Sequence, residues 1–265
     1  MARESTCKRW HDLVLARCTG DRSRLCASWD CFRAAGTAAG PVERSLAGRV
    51  GAEELATPAM KFRAVLFDIG GVVVGSPLHA IAAYERARGL PAGWINHHIV
   101  RSGSEGAWAR LERGELKLEE FVPLFEAECQ QAGVAIAAAE LMEMVQAATV
   151  PRPQMIRAIH RIRGAGLRTA AVTNNWLSEH DDTTPFSELF DVVVESARLG
   201  MRKPDPRIFT YTCSQLGVEP PEAVFLDDIG KNLKAARALG MATIKVADPE
   251  VALAELEQLL GFSVR

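Results

Sequence analysis

The stretch AVLFDIGGVVVGSP, residues 64–77, decides how the chain is interpreted. Four apolar residues lead directly into Asp68, and Gly70 and Gly71 follow it two and three residues later. A short apolar run that stops near glycines predicts a buried strand over Ala64–Phe67. The strand would therefore deliver a carboxylate at its carboxyl end, which indicates a chemical role for Asp68.

Outward from this strand, apolar runs predict four more, over residues 169–172, 191–194, 223–226 and 243–246. Helical patterns separate most of them, over residues 153–163, 205–216 and 231–239, and glycines follow at or near their ends. Strands that alternate with helices predict an α/β fold with a parallel five-stranded sheet.

The interval between the first two strands is far longer than a simple crossover needs. Helical spacing recurs in it over residues 79–88, 105–113, 118–131 and 137–148. We therefore predict a core formed by residues 60–77 and 150–265 and a small helical cap formed by residues 78–149. An insertion at this point lies beside the carboxyl edge of the sheet, which suits a lid.

Polar side chains follow the predicted strands at that edge, where open parallel sheets bind ligands. They are Asp68, Thr173, Asn174, Asn175, Lys203 (in the loop after the third strand), Asp227 and Asp228. Each alone is explained by a turn, a helix cap or a solvated charge. Together, carboxylates and a lysine at successive strand ends form a set that binds Mg²⁺ through oxygen and an anionic phosphate beside it.

The composition limits the other classes of function. The 265 residues are 48% hydrophobic and 24% charged, with a formal net charge of -2. These values are typical of a soluble globular protein, and they imply neither a nucleic-acid partner nor a membrane span. Six cysteines without paired spacing favour a reducing compartment, so we expect a cytoplasmic protein. The sequence does not indicate an oligomeric state.

Residues 1–59 differ from the rest in lacking sustained apolar periodicity. Three interpretations stay open: a disordered extension, an upstream start with Met60 as the functional initiator, and a degenerate targeting peptide that would direct the protein to a mitochondrion. The cysteines of this segment have two interpretations: a zinc site that also includes His11, or unpaired thiols. The cysteines are Cys7, Cys18, Cys26 and Cys31.

Four motifs in order carry a family resemblance: AVLFDIGG, AVTNN, the lysine of RKPDP, and VFLDDIGKNLKAARALGM. Over residues 61–261 the chain resembles the haloacid dehalogenase-like hydrolases. The resemblance implies a Rossmann-like core with a helical cap after the first strand. It also implies Mg²⁺-dependent phosphoryl transfer from a phosphorylated small molecule through an aspartyl-phosphate.

The resemblance also assigns roles to individual residues. Asp68 would be the nucleophile, and Lys203 would neutralise charge and keep Asp68 ionised. The Thr173 hydroxyl and the Asn174 amide would bind phosphate oxygens. The metal ligands would be Asp68, the backbone carbonyl of Gly70, and Asp228, with Asp227 either sharing the ion or supporting it from behind and Asn232 as a further supporting group.

Gly70 departs from the family pattern, because phosphatases of this family carry a second aspartate at that position as the general acid and base. General acid-base catalysis contributes a factor of about 10² to 10⁴ to the rate. Alkyl monoesters should therefore react slowly, and esters whose leaving groups have a low pKa should lose less rate. Glu105 and His79 in the cap have two interpretations: a substitute for the missing acid and base, or an ordinary residue on a helix surface. A regulatory module that binds phosphate and metal is the alternative. Dehalogenation needs no metal, and the Asp227–Asp228 pair argues against it.

A few other residues carry two interpretations each. The tryptophans Trp94, Trp108 and Trp176 either anchor the core or line an apolar pocket for a lipid-like or acyl group. His97 and His98 are interpreted as a pair on a helix surface, and Cys129 and Cys213 as core residues. Lys231 is either solvated or in contact with an anionic ligand.

Overall fold

The computed structural model describes residues 61–177 and 186–265. Within these ranges no helix has the length and apolarity to cross a membrane. The three interpretations of residues 1–59, and the zinc site weighed for that segment, lie outside the described residues.

Five parallel strands form one sheet. They are β1 (Ala64–Phe67), β2 (Arg168–Thr173), β3 (Val192–Glu195), β4 (Ala223–Asp227) and β5 (Ala242–Lys245), in the spatial order β3-β2-β1-β4-β5. The predicted α/β fold with a parallel five-stranded sheet is confirmed, and the strand ends differ from prediction by one residue at most. Phe67 lies opposite Ala171 on one side and Leu226 on the other, so the first, second and fourth strands end near each other.

Of the six α-helices that lie between β1 and β2 in the chain, the first five pack against one another. They are α1 (Pro77–Ala87), α2 (Trp94–Ser102), α3 (Ala107–Glu112), α4 (Leu118–Gln131) and α5 (Ala138–Ala147). They enclose an apolar cluster of their own, which includes Tyr84, Trp108, Phe121 and Phe125. The segments that connect this cap to the core lie side by side, because Val74 pairs with Pro151 in an antiparallel bridge. The domain boundaries themselves stay a prediction.

One core helix precedes β2, and the other four follow β3, β4 and β5. They are α6 (Pro153–Gly164), α7 (Ser196–Leu199), α8 (Pro206–Leu216), α9 (Gly230–Ala238) and α10 (Pro249–Leu260). Helices α8 and α9 pack on one face of the sheet, where Phe209 meets Phe225 with ring centroids 5.1 Å apart. Helix α6 contacts β2 and α10 contacts β5, and the two helices also pack on each other. The strand ends are thus held by packed elements on a rigid sheet.

Candidate functional site

Asp68 follows β1 and starts a tight turn over Ile69–Val73. Its Oδ1 accepts a hydrogen bond from the Ile69 backbone nitrogen at 2.7 Å, which fixes the carboxylate at the strand end. Gly71 in the turn has φ +81°, and a Cβ there would lie 2.0 Å from Oδ2 of Asp228. Only glycine therefore lets this turn approach the second carboxylate.

Lys203 contacts groups at the ends of three strands. Its Nζ lies 2.7 Å from Oδ1 of Asp68 and 3.0 Å from Oδ2 of Asp227, and it donates to the Val172 carbonyl at 2.8 Å. The side chain is 1% exposed. A lysine so completely buried needs the compensation that these three acceptors provide.

Asp227 is fully buried and already well satisfied. Its carboxylate accepts hydrogen bonds from the Ile229 backbone nitrogen at 2.7 Å and from the Asn232 amide at 3.0 and 3.2 Å, in addition to the Lys203 contact. These contacts favour the supporting role over direct ligation of an ion. They also agree with the supporting role predicted for Asn232. A direct metal contact from Asp227 stays a prediction.

The carboxylates perturb one another. Burial raises the pKa of Asp68 well above its ordinary value, against the opposing effect of Lys203, and Asp227 and Asp228 raise it further. Burial and then Asp227 also raise the pKa of Asp228. Burial alone would lower the pKa of Lys203, but the carboxylates of Asp227 and Asp68 outweigh burial and raise it. Lys203 is therefore protonated, and the site still lacks positive charge.

A hard divalent cation fits this site. Asp68, Asp227 and Asp228 each offer an oxygen, and these oxygens lie within 4.8 Å of one another. Asp228 is oriented by Ser76, whose hydroxyl donates to its Oδ2 at 3.1 Å. Carboxylate oxygens around an excess of negative charge are what Mg²⁺ prefers. The ligand role of the Gly70 carbonyl stays a prediction.

A cavity of about 210 Å³ opens at the strand ends. Gly70, Thr173 and Asn174 line it, together with apolar side chains that include Val145 and Trp176, and we call it the strand-end cavity. Ile69, the residue after Asp68, forms part of its wall. Among the described residues the Thr173 hydroxyl has no hydrogen-bond partner, so it is free to donate to a phosphate oxygen.

Asn174 is more constrained than the sequence predicts. Its Oδ1 accepts from the Lys203 backbone nitrogen at 2.8 Å, and its amide donates to the Lys203 carbonyl at 3.1 Å and to Oε2 of Glu112 at 3.2 Å. The side chain thus positions the backbone of Lys203. A phosphate oxygen would reach this amide only by replacing Glu112, so its predicted role in phosphate binding stays a prediction.

Glu112, at the end of cap helix α3, was missed by sequence reasoning. Its Oε1 accepts from Trp108 Nε1 at 3.0 Å, and its Oε2 lies 2.6 Å from Nε of Arg202. With the Asn174 contact, these interactions form a cap-to-core link that we call the Glu112 bridge. Ser76 was missed as well. No local pattern marks either residue as part of the site, because Ser76 contacts Asp228, 152 positions away, and Glu112 contacts Asn174, 62 positions away in sequence.

Several secondary predictions have clear outcomes. His98 is 6% exposed and stacks on Trp94. The predicted surface position is therefore wrong for this residue, because its side of the helix packs against the apolar cluster of the cap. His97 is exposed. Trp108 is a core anchor, whereas Trp176 lines the strand-end cavity. Glu105 and His79 are exposed and do not line the strand-end cavity, whereas Cys129 and Cys213 are buried.

The family model for haloacid dehalogenase-like hydrolases matches residues 62–240. The chain belongs to this family. The matched range includes the strand-end residues from Asp68 to Asp228, and the chain is accordingly a hydrolase.

Three curated relatives show how the similarity is distributed. Acyl-CoA dehydrogenase family member 10 of Mus musculus is 43% identical over 206 residues, covering 76% of this chain and 19% of that protein. Bifunctional epoxide hydrolase 2 of Sus scrofa is 34% identical, covering 76% of this chain and 39% of that protein. Sesquiterpene phosphatase astK of Aspergillus oryzae is 26% identical, covering 76% of this chain and 97% of that protein. The chain thus spans a minor part of the first two relatives.

Among solved structures, a HAD-like family hydrolase from Porphyromonas gingivalis aligns with a TM-score of 0.55 at 21% identity. The alignment covers 76% of this chain and 98% of that one. At this identity the likeness concerns the fold, and it supports the arrangement of a Rossmann-like sheet with flanking helices.

Proposed function

We propose that the chain is a Mg²⁺-dependent phosphatase that carries the phosphoryl group on Asp68. The observation that supports this most strongly is the buried cluster in which Asp68 lies 2.7 Å from Lys203 and within 4.8 Å of oxygens of Asp227 and Asp228. A carboxylate held between a lysine and a cation site is arranged to attack a phosphorus atom in line.

In the first step an oxygen of Asp68 forms a bond to phosphorus as the bond from phosphorus to the leaving oxygen breaks. Lys203 offsets charge on the phosphoryl oxygens, and the Thr173 hydroxyl donates to one of them. Bound Mg²⁺ supplies the remaining positive charge. In the second step a water oxygen attacks phosphorus, inorganic phosphate leaves, and the Asp68 carboxylate is restored.

Gly70 determines which leaving groups are tolerated. It offers no carboxyl to protonate the leaving oxygen or to activate the water, and general acid-base catalysis is worth about 10² to 10⁴ in rate. Acyl and aryl phosphates, whose leaving oxygens need little protonation, should therefore react fastest. The second step stays slow for every substrate.

The walls of the strand-end cavity indicate a class of substrate. Val145, Trp176, Leu177 and Phe186 line it with apolar surface next to the polar groups of Thr173. Such walls stabilise an apolar group attached to the phosphate. A lipid-like or acyl phosphate therefore fits this site, and the relative described as a sesquiterpene phosphatase supports the same class.

A phosphate-binding regulatory module is the second candidate. One observation favours it besides Gly70: the amide of Asn174, which a phosphate would use, is held by the Glu112 carboxylate at 3.2 Å. In this case anions bind near Asp68, but turnover is absent.

The experiment is a measurement of Mg²⁺-dependent phosphate release from alkyl, aryl and acyl phosphates of graded leaving-group pKa, with Asp68→Asn as the control. A kcat/KM for phosphate release that disappears in the control and rises as leaving-group pKa falls supports the phosphatase, because kcat/KM reports the first step even when the second limits turnover. Mg²⁺-dependent binding of vanadate without any release beyond the Asp68→Asn level would replace it with the regulatory module.

A further inference from the structure

A second cavity, of about 430 Å³, lies between the cap and the core. Its cap side includes Val100 and Ser104, and its core side includes Met201 and Pro204. Among the described residues, four cationic side chains and one carboxylate line it, so we call it the basic cavity. The cations are Arg113, Arg202, Arg207 and Lys231, and the carboxylate is Asp205.

The ion pairs leave one of these cations uncompensated. Three cations each hold a carboxylate partner at 2.5–2.6 Å, in the pairs Arg113–Glu115, Arg202–Glu112 and Arg207–Asp205. Lys231 has no carboxylate within 4.0 Å in the described part of the chain. The cavity therefore carries a net positive charge that its own residues do not balance.

Lys231 also lies near another cation. Lys231 is exposed, but desolvation at the cavity lowers the pKa of its ammonium, and the Arg202 guanidinium lowers it further, against weaker opposing effects of Glu112 and Asp227. Two neighbouring cations that face a cavity repel each other, and an anion bound between them would relieve that repulsion.

The basic cavity adjoins the reacting site. Arg202 and Pro204 flank Lys203 in sequence, and Lys203 contacts Asp68 at 2.7 Å. The Glu112 bridge lies between the two cavities, because it contacts Arg202 in the basic cavity and Asn174 in the strand-end cavity. A ligand that fills both cavities would pass beside Glu112.

We propose that the basic cavity binds a second anionic group, a carboxylate or a phosphate, of the substrate whose reacting phosphate lies at Asp68. Lys231 and Arg202 are its ligands, with charge-assisted hydrogen bonds to the anion. This inference rests on the proposed phosphatase function. It makes the basic cavity a specificity site for substrates that carry negative charge at two positions.

The test uses phenyl phosphates that differ only in a side chain ending in a carboxylate, a phosphate or a neutral amide. Lys231→Gln removes the uncompensated cation, and Lys234→Gln is the matched control, since both lysines are exposed on the same helix and only Lys231 lines the cavity. Loss of one charge-assisted contact should raise KM for the charged substrates about tenfold. The value for the amide, and kcat for all three, should not change.

Two results would overturn this inference. One is an equal effect of Lys231→Gln on charged and neutral substrates. The other is stimulation of the neutral substrate by free acetate or inorganic phosphate without any preference for tethered anions, which would make the cavity a site for a separate effector.

A binding measurement separates this inference from the proposed function. Calorimetry with benzylphosphonates that carry the same three side chains needs no turnover. A preference for the charged phosphonates that Lys231→Gln removes would support the basic cavity even if no ester is hydrolysed. Equal affinities of the wild-type protein for charged and neutral phosphonates would reject it.

Discussion

At the scale of single residues, two adjacent glycines have different roles. Gly71 is required by its backbone, at φ +81°, and by its closeness to Asp228. Gly70 has φ −67° and ψ 123°, which other residues adopt readily. Its Cβ would lie 3.1 Å from ring carbons of Pro77, so a side chain needs a shift of a few tenths of an ångström there. The backbone does not require glycine at position 70, so the consequence of Gly70 for function is the absence of a carboxyl group there.

Gly70→Asp should raise monoester phosphatase activity. The new carboxyl would protonate the leaving oxygen, and we expect kcat/KM for alkyl phosphates to increase at least about tenfold, below the full effect of general acid catalysis because Pro77 is close. The dependence of rate on leaving-group pKa should flatten. Gly70→Asn is the control with the same shape and no acid. Equal rates for the two variants would contradict the assignment.

Gly71→Ala should abolish most activity. Its methyl group would displace Asp228, and a misplacement of about 1 Å in a catalytic site costs about 10² in rate. Gly166→Ala is the matched control, because Gly166 has φ +86° and open space around it. The control should lose about 1–2 kcal/mol of stability from the left-handed backbone and keep its activity. Kinetics and thermal unfolding of both variants check this, and full activity in Gly71→Ala would contradict the proposed geometry.

At the scale of elements, the Glu112 bridge joins cap helix α3 to the core. Glu112→Ala would leave the donors of Arg202 and Asn174 without this partner, and we expect a loss of about 2 kcal/mol of stability together with faster proteolysis of the cap. Glu115→Ala, which breaks exposed pairs with Arg110 and Arg113, should cost under about 1 kcal/mol. Denaturant unfolding measures both, and equal losses would show that the bridge adds nothing.

The sequence predicted the sheet better than the helices around it. Apolar runs mark β1 and β4 clearly, because buried parallel strands are apolar on both faces. For helix α2, with the sequence WINHHIVRS, the sequence placed His97 and His98 on a helix surface but did not predict its bounds, since its inward face includes His98, which is a polar residue. Helices α7 and α10 were missed: the first has only four residues, and the second shows few polar interruptions in its apolar pattern.

The sequence predicted the site residues at the strand ends but not the residues that link the cap to the core. Asp68, Thr173, Lys203 and Asp228 are recognisable because each stands at a fixed position after an apolar run or in a family motif. Glu112 and Arg202 were not found, because an ion pair between residues 90 positions apart leaves no trace in one sequence. The cap–core contacts therefore required the structure.

At the scale of the whole molecule, one buried histidine predicts a pH dependence of stability. Burial lowers the pKa of His98 from its ordinary value of 6.5, with Glu128 opposing and Arg101 adding to the effect. The unfolded chain then binds the proton more readily than the folded one, so stability should be full above pH 6.5 and fall as the pH drops below it.

The measurement is thermal unfolding between pH 5 and pH 8 for the wild-type protein and His98→Phe. Phenylalanine keeps an aromatic ring against Trp94 and cannot titrate, so the variant should lose the part of the decline that starts near pH 6.5. His97→Phe, at an exposed neighbour, should keep it. An unchanged decline in His98→Phe would assign the pH dependence to other groups.

The central claim is that Asp68 carries the phosphoryl group, and mass spectrometry of the protein after reaction with acetyl phosphate and Mg²⁺ tests it most directly. Because Gly70 provides no base for the second step, the phosphoryl-enzyme should accumulate, with the added mass on the peptide that contains Asp68. Asp68→Asn should show none. A phosphoryl group on another residue, or phosphate release without any modified Asp68 even after rapid acid quenching, would contradict the account.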